Sequence, residues 1–513
     1  MKERLQAGLF RRPAGPGVLF LAVFCVSFLL LLYRAPSPAF FPDLYAEDGQ
    51  DYLVLLQVQD RGPVNAFLHV ALTPHDGIYL VGNVLLAQLA IVLDRIAWKG
   101  DLADLPRAMS LVSYGFFAVV FGLTATVLRK RVGMVTVWLT CLWLCVLPLT
   151  RSPELVLGRI SNCGLLAFYG ALLIVLQRVL YTRSAANAVL CDILFVICVY
   201  SNPVVLLLAP FLYARQLGEF WRKRTLQMSL AETISAICVL ICCAICAVLS
   251  VRASVLTPAT YMNTPFAWEH AIELIVARFM LFPLIYPVYK WMSNLSILAI
   301  AAVAGWAIWK AARRGTDVER WWYIITVFGL LSFSIVSAAF RPGISTWFKD
   351  YAWWAQSHPE FFYVENYLAI LLIALLLNDL AHAGSRLARG AIAVLAGSFV
   401  MFTLLAGQSS TVGPWNLYLG TFQQELELRY WGRSYADDYE SLNRDGKFLY
   451  VRTSPFPHVR ADGKIDDRWW SALLPREAAE HSRIRAGAFQ DPMSKAAAAA
   501  LSEQRAGAPA SVR

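Results

Sequence analysis

Of the 513 residues, 58% are hydrophobic and only 16% are charged, with a formal net charge of +10. A soluble domain carries about 25% charged residues, so this composition excludes a soluble enzyme or binding module and points to a polytopic membrane protein. Apolar runs recur at the length of about 20 residues that a helix needs to cross a hydrocarbon core. Barrel-type alternation is absent, so the spans are expected to be helices.

The chain begins with a basic stretch, MKERLQAGLFRRP, followed by the apolar run VLFLAVFCVSFLLLLY ending at Tyr33. That run is long for a signal peptide, so it reads as an uncleaved anchor with a cytoplasmic N-terminus. Next comes FPDLYAEDGQDY, which places Asp43, Glu47, Asp48 and Asp51 just beyond the lipid. The first external loop is expected over 34–107, where nine acids face five basic residues. Within it, an acid-starting helix over 49–60 and the apolar stretch IYLVGNVLLAQLAIVL (78–93) are expected to lie in the outer interface. A crossing by 78–93 would put the Arg129-Lys130-Arg131 cluster outside and invert every later loop.

From there the distribution of Lys and Arg sets the threading. Segment 107–128 runs inward to the basic cluster, 133–149 outward and 162–181 inward. The run 187–213 has basic residues on both flanks and is interrupted by YSNPVV, so Pro203 should break it into a hairpin with both ends inside. Later spans are expected at 230–251, 293–309, 321–340, 361–378 and 391–407, about eleven in all. Segment 271–289, with Glu273 and Arg278, is treated as a second interfacial element. The expected fold is thus an all-α polytopic membrane domain over 1–407, with a small external C-terminal extension over 408–485 and a disordered tail over 486–513. The extension contains one strand-like run, KFLYVRT.

The ten cysteines all lie in or beside apolar segments, including the run CVLICCAIC, and read as small apolar fillers rather than disulfide or metal ligands. The basic excess sits where it orients the chain, which argues against a nucleic-acid partner. No Gly-rich nucleotide loop is evident.

A single anchor, a long external loop opening on the paired acids of YAEDGQDY, a span ending in a basic cluster and a Pro-broken hairpin together resemble the GT-C superfamily. These integral-membrane glycosyltransferases, among them aminoarabinose transferases and protein O-mannosyltransferases, take sugars from polyprenyl-phosphate donors. The resemblance covers roughly 17–407. It implies that the paired acid, here Glu47 and Asp48, contains the catalytic carboxylate. TPHDGIYL stands where relatives carry a His-Pro-Pro or Lys-Pro-Pro element, and this chain lacks those prolines.

Transfer from a phosphate leaving group needs no general acid, whereas the acceptor hydroxyl needs a base. Asp48 is the preferred base, with Glu47 orienting the acceptor or helping to hold a divalent cation, Mg or Mn. The competing reading is a turn followed by a helix start, where Asp-Gly and acids are both favoured. Asp51 and Glu154 are further acidic candidates for substrate binding. Arg159 and Asn162 are candidates for phosphate or sugar contact, and Arg278, Arg341 and Lys349 for a phosphate clamp; interfacial anchoring would equally explain the cations. Asp76 and His75 read as a turn.

The implied function is transfer from a polyprenyl-phosphate sugar to an envelope glycan, glycolipid or protein acceptor, on the external leaflet of a bacterial inner membrane. Two alternatives stand: a transporter or flippase of lipid-linked sugars, and an O-antigen-type polymerase or ligase. A transporter would carry more ionisable residues within its spans, where Asp192, Glu232 and Glu365 are the notable acids.

Overall fold

A computed structural model describes residues 15–35, 37–40, 55, 62–73, 79–100, 104–147, 149, 156–223, 228–256, 266–285, 292–340, 344–345, 362–383, 390, 397, 448–452 and 471–475. Among them, seven helices are long and apolar enough to cross a membrane. These are α1 (Pro16–Arg34), α5 (Leu105–Leu128), α7 (Ile160–Leu176, extended by a π turn, Gln177–Tyr181), α11 (Leu230–Leu256), α13 (Asn294–Arg314), α14 (Asp317–Phe340) and α15 (Tyr363–Ala383). Shorter elements complete the helical part: α2 (Ser37–Phe40), α3 (Pro63–Ala71), α4 (Val81–Ala97), α6 (Met134–Val146), α8 (Ala185–Ser201), α9 (Ala209–Leu212), α10 (Ala214–Lys223) and α12 (Phe282–Ile285). In the C-terminal extension β1 (Phe448–Arg452) pairs antiparallel with β2 (Ser471–Pro475), Tyr450 opposite Leu473. The run 391–407 lies outside the described residues apart from Gly397.

Side-chain hydrogen bonds sort the helix ends onto two faces. On the first, Arg131, just past α5, meets Asp379 at the end of α15 at 2.5 Å and Glu319 at the start of α14 at 3.3 Å. Tyr323 donates to the same Asp379 carboxylate at 2.8 Å. Lys130 donates to Gln177 in the π turn at 2.6 Å, and Trp322 Nε1 to the Tyr181 hydroxyl at 2.8 Å. On the opposite face Arg34, ending α1, donates to the carbonyls of Cys145 and Leu147 at the end of α6. There too Ser113 donates to the Arg159 carbonyl, and the Tyr363 hydroxyl to that of Asn162. Helices α5, α6, α7, α14 and α15 therefore alternate in direction as the basic flanks require, and the basic turns gather on one face.

The core lies between α5, α7 and α15, where Phe117, Phe121, Tyr169, Tyr363 and Tyr367 pack as an aromatic column with centroids 5.4–5.9 Å apart. Helix α1 lies against α5 because Gly122 leaves room for Phe20; a Cβ there would stand 2.8 Å from the ring.

The hairpin is built by local chemistry. Asn202 ends α8, and its side-chain oxygen accepts from the Val204 amide at 3.1 Å, turning the chain into a 3₁₀ run, Pro203–Leu208. Pro203 has no N–H and cannot continue the helix. Both arms return to the π turn of α7: Asp192 pairs with Arg178 at 3.3 Å, and the Tyr213 ring lies 5.7 Å from the same guanidinium. The turn end reaches the opposite face, where Ser201 meets α4 so closely that a Cβ on Gly82 would lie 2.0 Å from its hydroxyl oxygen.

Helix α4 does not cross. Asn83 near its start donates to the Ser161 carbonyl at 3.0 Å, and Trp98 just beyond its end lies 5.8 Å from the Arg107 guanidinium. Both partners stand at helix starts on the opposite face, so α4 runs along that face. Its inner side buries Val84, Ala87 and Ile91, whereas Leu85, Leu89, Val92 and Ile96 point outward at helical spacing.

Candidate functional site

The opposite face also collects the described site residues. Its first feature is how it holds the acidic stretch. Arg107, in the first turn of α5, donates through Nε to the Ala39 carbonyl in α2 at 2.9 Å and pairs with Asp104 at 2.8 Å. Sixteen residues later, Leu55 is buried in an apolar cluster with Val84, Ala87 and Ile91 of α4, Leu105 and Met109 of α5, and Ile160 of α7. The stretch carrying Asp43, Glu47, Asp48 and Asp51 therefore leaves from the first turn of α5 and returns to it. A chain extends at most about 3.5 Å per residue, which puts Asp48 within about 25 Å of Leu55.

Those four acids themselves lie outside the described residues, as do Glu154, Arg341, Lys349, Asp76 and His75. Three of the expected site residues are described. Arg159 is buried in the extended approach to α7, and its carbonyl takes the Ser113 hydroxyl at 3.0 Å. Asn162, one turn into α7, contributes its carbonyl to the Tyr363 hydroxyl. Arg278 is 1% exposed, between the Phe282 and Phe362 rings at 3.8 and 4.3 Å, and donates through Nη1 to Asn366 Oδ1 at 3.0 Å. Tyr363 and Asn366 are neighbours in the first turn of α15, so that one turn draws Asn162 and Arg278 together.

Why Arg278 lies inside follows from the backbone around it. Residues Ile272–Leu281 form a π-helix, in which each carbonyl accepts from the amide five residues on. For Arg278 that partner is Pro283, which has no N–H. The Asn366 amide supplies the missing donor, at 2.8 Å to the Arg278 carbonyl and 3.1 Å to that of Phe279. The expectation for 271–289 was an element on the interface. The described part does stay on this face, with the Ala267 amide on Ser345 at 2.7 Å and Glu273 accepting from Asn294 at 2.9 Å. It differs in packing inward through Arg278 against α15 instead of only lying on the surface.

Sequence reasoning did not single out Tyr363 or Asn366, and took Glu365 only as an acid within a span. All three are buried in the first turn of α15. The available signal was the cluster of polar groups in YVEN at the start of an otherwise apolar helix.

A second constellation lies at the basic face. Arg178 and Asp192 are each no more than 2% exposed. Arg178 also faces Glu232 at 3.6 Å, and Ser235 donates to Asp192 at 2.8 Å. Buried charges persist when paired in this way. Among the described residues no group of three His, Cys, Asp or Glu could hold a metal ion; Glu47, the expected ligand, lies outside them.

No protein-family model matches the chain, and no curated protein matches it.

Proposed function

We propose that the chain is an integral-membrane glycosyltransferase of the GT-C type, taking a sugar from a polyprenyl-phosphate donor. The acceptor is a cell-envelope glycan, glycolipid or protein. The observation that supports this reading is the anchoring of the acidic stretch: Ala39 before it and Leu55 after it are both held at the first turn of α5, on the face that gathers Arg159, Asn162 and Arg278. With Lys130 and Arg131 cytoplasmic, as the positive-inside rule has it, that face is the external leaflet of a bacterial inner membrane.

In the proposed step the acceptor hydroxyl oxygen attacks the anomeric carbon of the donor. The bond from that carbon to the phosphate oxygen breaks, its electron pair leaving with the phosphate, and the configuration inverts. The hydroxyl proton passes to Asp48, with Glu47 orienting the acceptor. Arg159, Arg341 and Lys349 meet the charge of the departing phosphate, while Arg278 holds the first turn of α15 through Asn366. A divalent cation, Mg or Mn, would supply further neutralisation beside Glu47.

The rival, a flippase of lipid-linked sugars, draws support from the buried Arg178 and Asp192 with Glu232 beside them, because ionisable groups within apolar segments mark transport pathways. One experiment separates the two. Membranes carrying wild type, Asp48→Asn or Glu47→Gln are given a panel of radiolabelled polyprenyl-phosphate sugars. Transfer by wild type, lost in one isostere that still binds donor, is the expected result. Wild-type transfer by both variants refutes the carboxylate mechanism, and donor translocation without transfer establishes the flippase.

A further inference from the structure

Helix α10 (Ala214–Lys223) has no part in the proposed chemistry. It follows the hairpin directly, one residue after Tyr213, whose ring faces Arg178 at the basic face. Its sequence, ARQLGEFWRK, divides cleanly when wound at 100° per residue. Leu217, Phe220 and Trp221 share one side, at positions i, i+3 and i+4, and are 57%, 37% and 75% exposed. Positions 215, 219, 222 and 223 fall on the other side, three of them cationic and one acidic, and Arg224 follows.

Ten residues span about 15 Å, too short to cross a bilayer. Large apolar groups opposite a cationic side, on a short helix rich in Arg and Lys, suit the boundary between headgroups and acyl chains. Trp is the side chain most at home in that layer. The cationic excess fixes the kind of lipid, since a zwitterionic headgroup offers no net charge to meet it.

We propose that α10 is an anionic-phospholipid binding element. It lies in the plane of the leaflet at the basic face, with Leu217, Phe220 and Trp221 in the acyl boundary and its cationic residues on anionic headgroups. This fastens the returning arm of the hairpin to the membrane beside the Arg178 cluster. The inference does not depend on the glycosyltransferase reading.

The test uses the full chain reconstituted in phosphatidylcholine vesicles doped with brominated phosphatidylglycerol or brominated phosphatidylcholine. The emission that wild type shows over Trp221→Phe isolates Trp221. Stronger quenching by the brominated phosphatidylglycerol is expected. Arg222→Gln/Lys223→Gln should reduce that preference about 25-fold, at roughly a factor of five for each cationic residue near the surface. High salt on wild type should do the same without any substitution. Equal quenching by both lipids, insensitive to charge and salt, overturns the proposal. So does a Trp221 signal that neither lipid quenches, which would mean that protein covers the patch.

Discussion

Replacing Arg178 by methionine leaves the Asp192 carboxylate buried without its cation, still accepting from the Ser235 hydroxyl at 2.8 Å. Glu232 loses its ion pair too, but its side chain is 20% exposed and its other oxygen already takes the Ser229 amide and hydroxyl, so it adds little. Breaking a buried pair from one side costs about 3–5 kcal/mol, a shift of about 150- to 5000-fold in the folded-to-unfolded ratio. Asp192→Leu alone leaves Arg178 with Glu232 at 3.6 Å and should cost about 2–4 kcal/mol. The double variant Arg178→Met/Asp192→Leu removes both charges and fills the site with apolar volume, so about 1–2 kcal/mol is expected. The coupling is then at least about 3 kcal/mol, at or above the top of the range for residues in contact. Unfolding of the purified chain by SDS in mixed micelles, followed by far-UV ellipticity, reads all four corners of the cycle. Additive single costs, or an Arg178→Met variant within about 1 kcal/mol of wild type, would show that the cluster is not held by charge pairing.

Two further outcomes test the packing and the basic face. Gly82→Ala brings a Cβ to 2.0 Å from the Ser201 oxygen; overpacking of this kind should cost about 1–3 kcal/mol, and Ser201→Ala in the same chain should recover part of it in the same unfolding assay. Burial holds the Lys130 ammonium below its ordinary pKa, a shift partly opposed by Cys191. The unfolded chain thus binds more protons than the folded one between the folded pKa and the ordinary value, and stability rises with pH through that window. Wild type should gain on Lys130→Met as the pH climbs toward roughly 10.4, the ordinary lysine value; a pH-independent difference refutes this.

What could be read from the sequence was local or statistical. Pro203 announced a reversal because the loss of one N–H acts where it occurs, and the turn stands at Asn202–Pro203. The cluster at 129–131 gave the direction of α5 because loop charge is counted segment by segment. Its pairing could not be read: Arg131 meets Asp379 across 248 residues, and nothing near either residue names the other. Pro283 is the converse of Pro203. Its missing N–H is answered by Asn366, a partner from another helix, and the result is a buried arginine in place of a surface one. KFLYVRT read as a strand, a short aromatic and β-branched run between charged ends, whereas its partner over 471–475, SALLP, carries no such composition. At the candidate site, sequence chemistry named the acids and the structure supplied their two anchors.

Those anchors also decide how the molecule would respond to cutting. Ala39 is tied by Arg107, and Leu55 is packed beneath α4, so each side of the acidic stretch has its own attachment. A protease severing the backbone between them would release nothing: the anchor peptide would stay on the bundle through α1 along α5 and Arg34 on α6. The chain could accordingly be expressed as two separate polypeptides, divided between Ala39 and Leu55, that reassemble in the membrane.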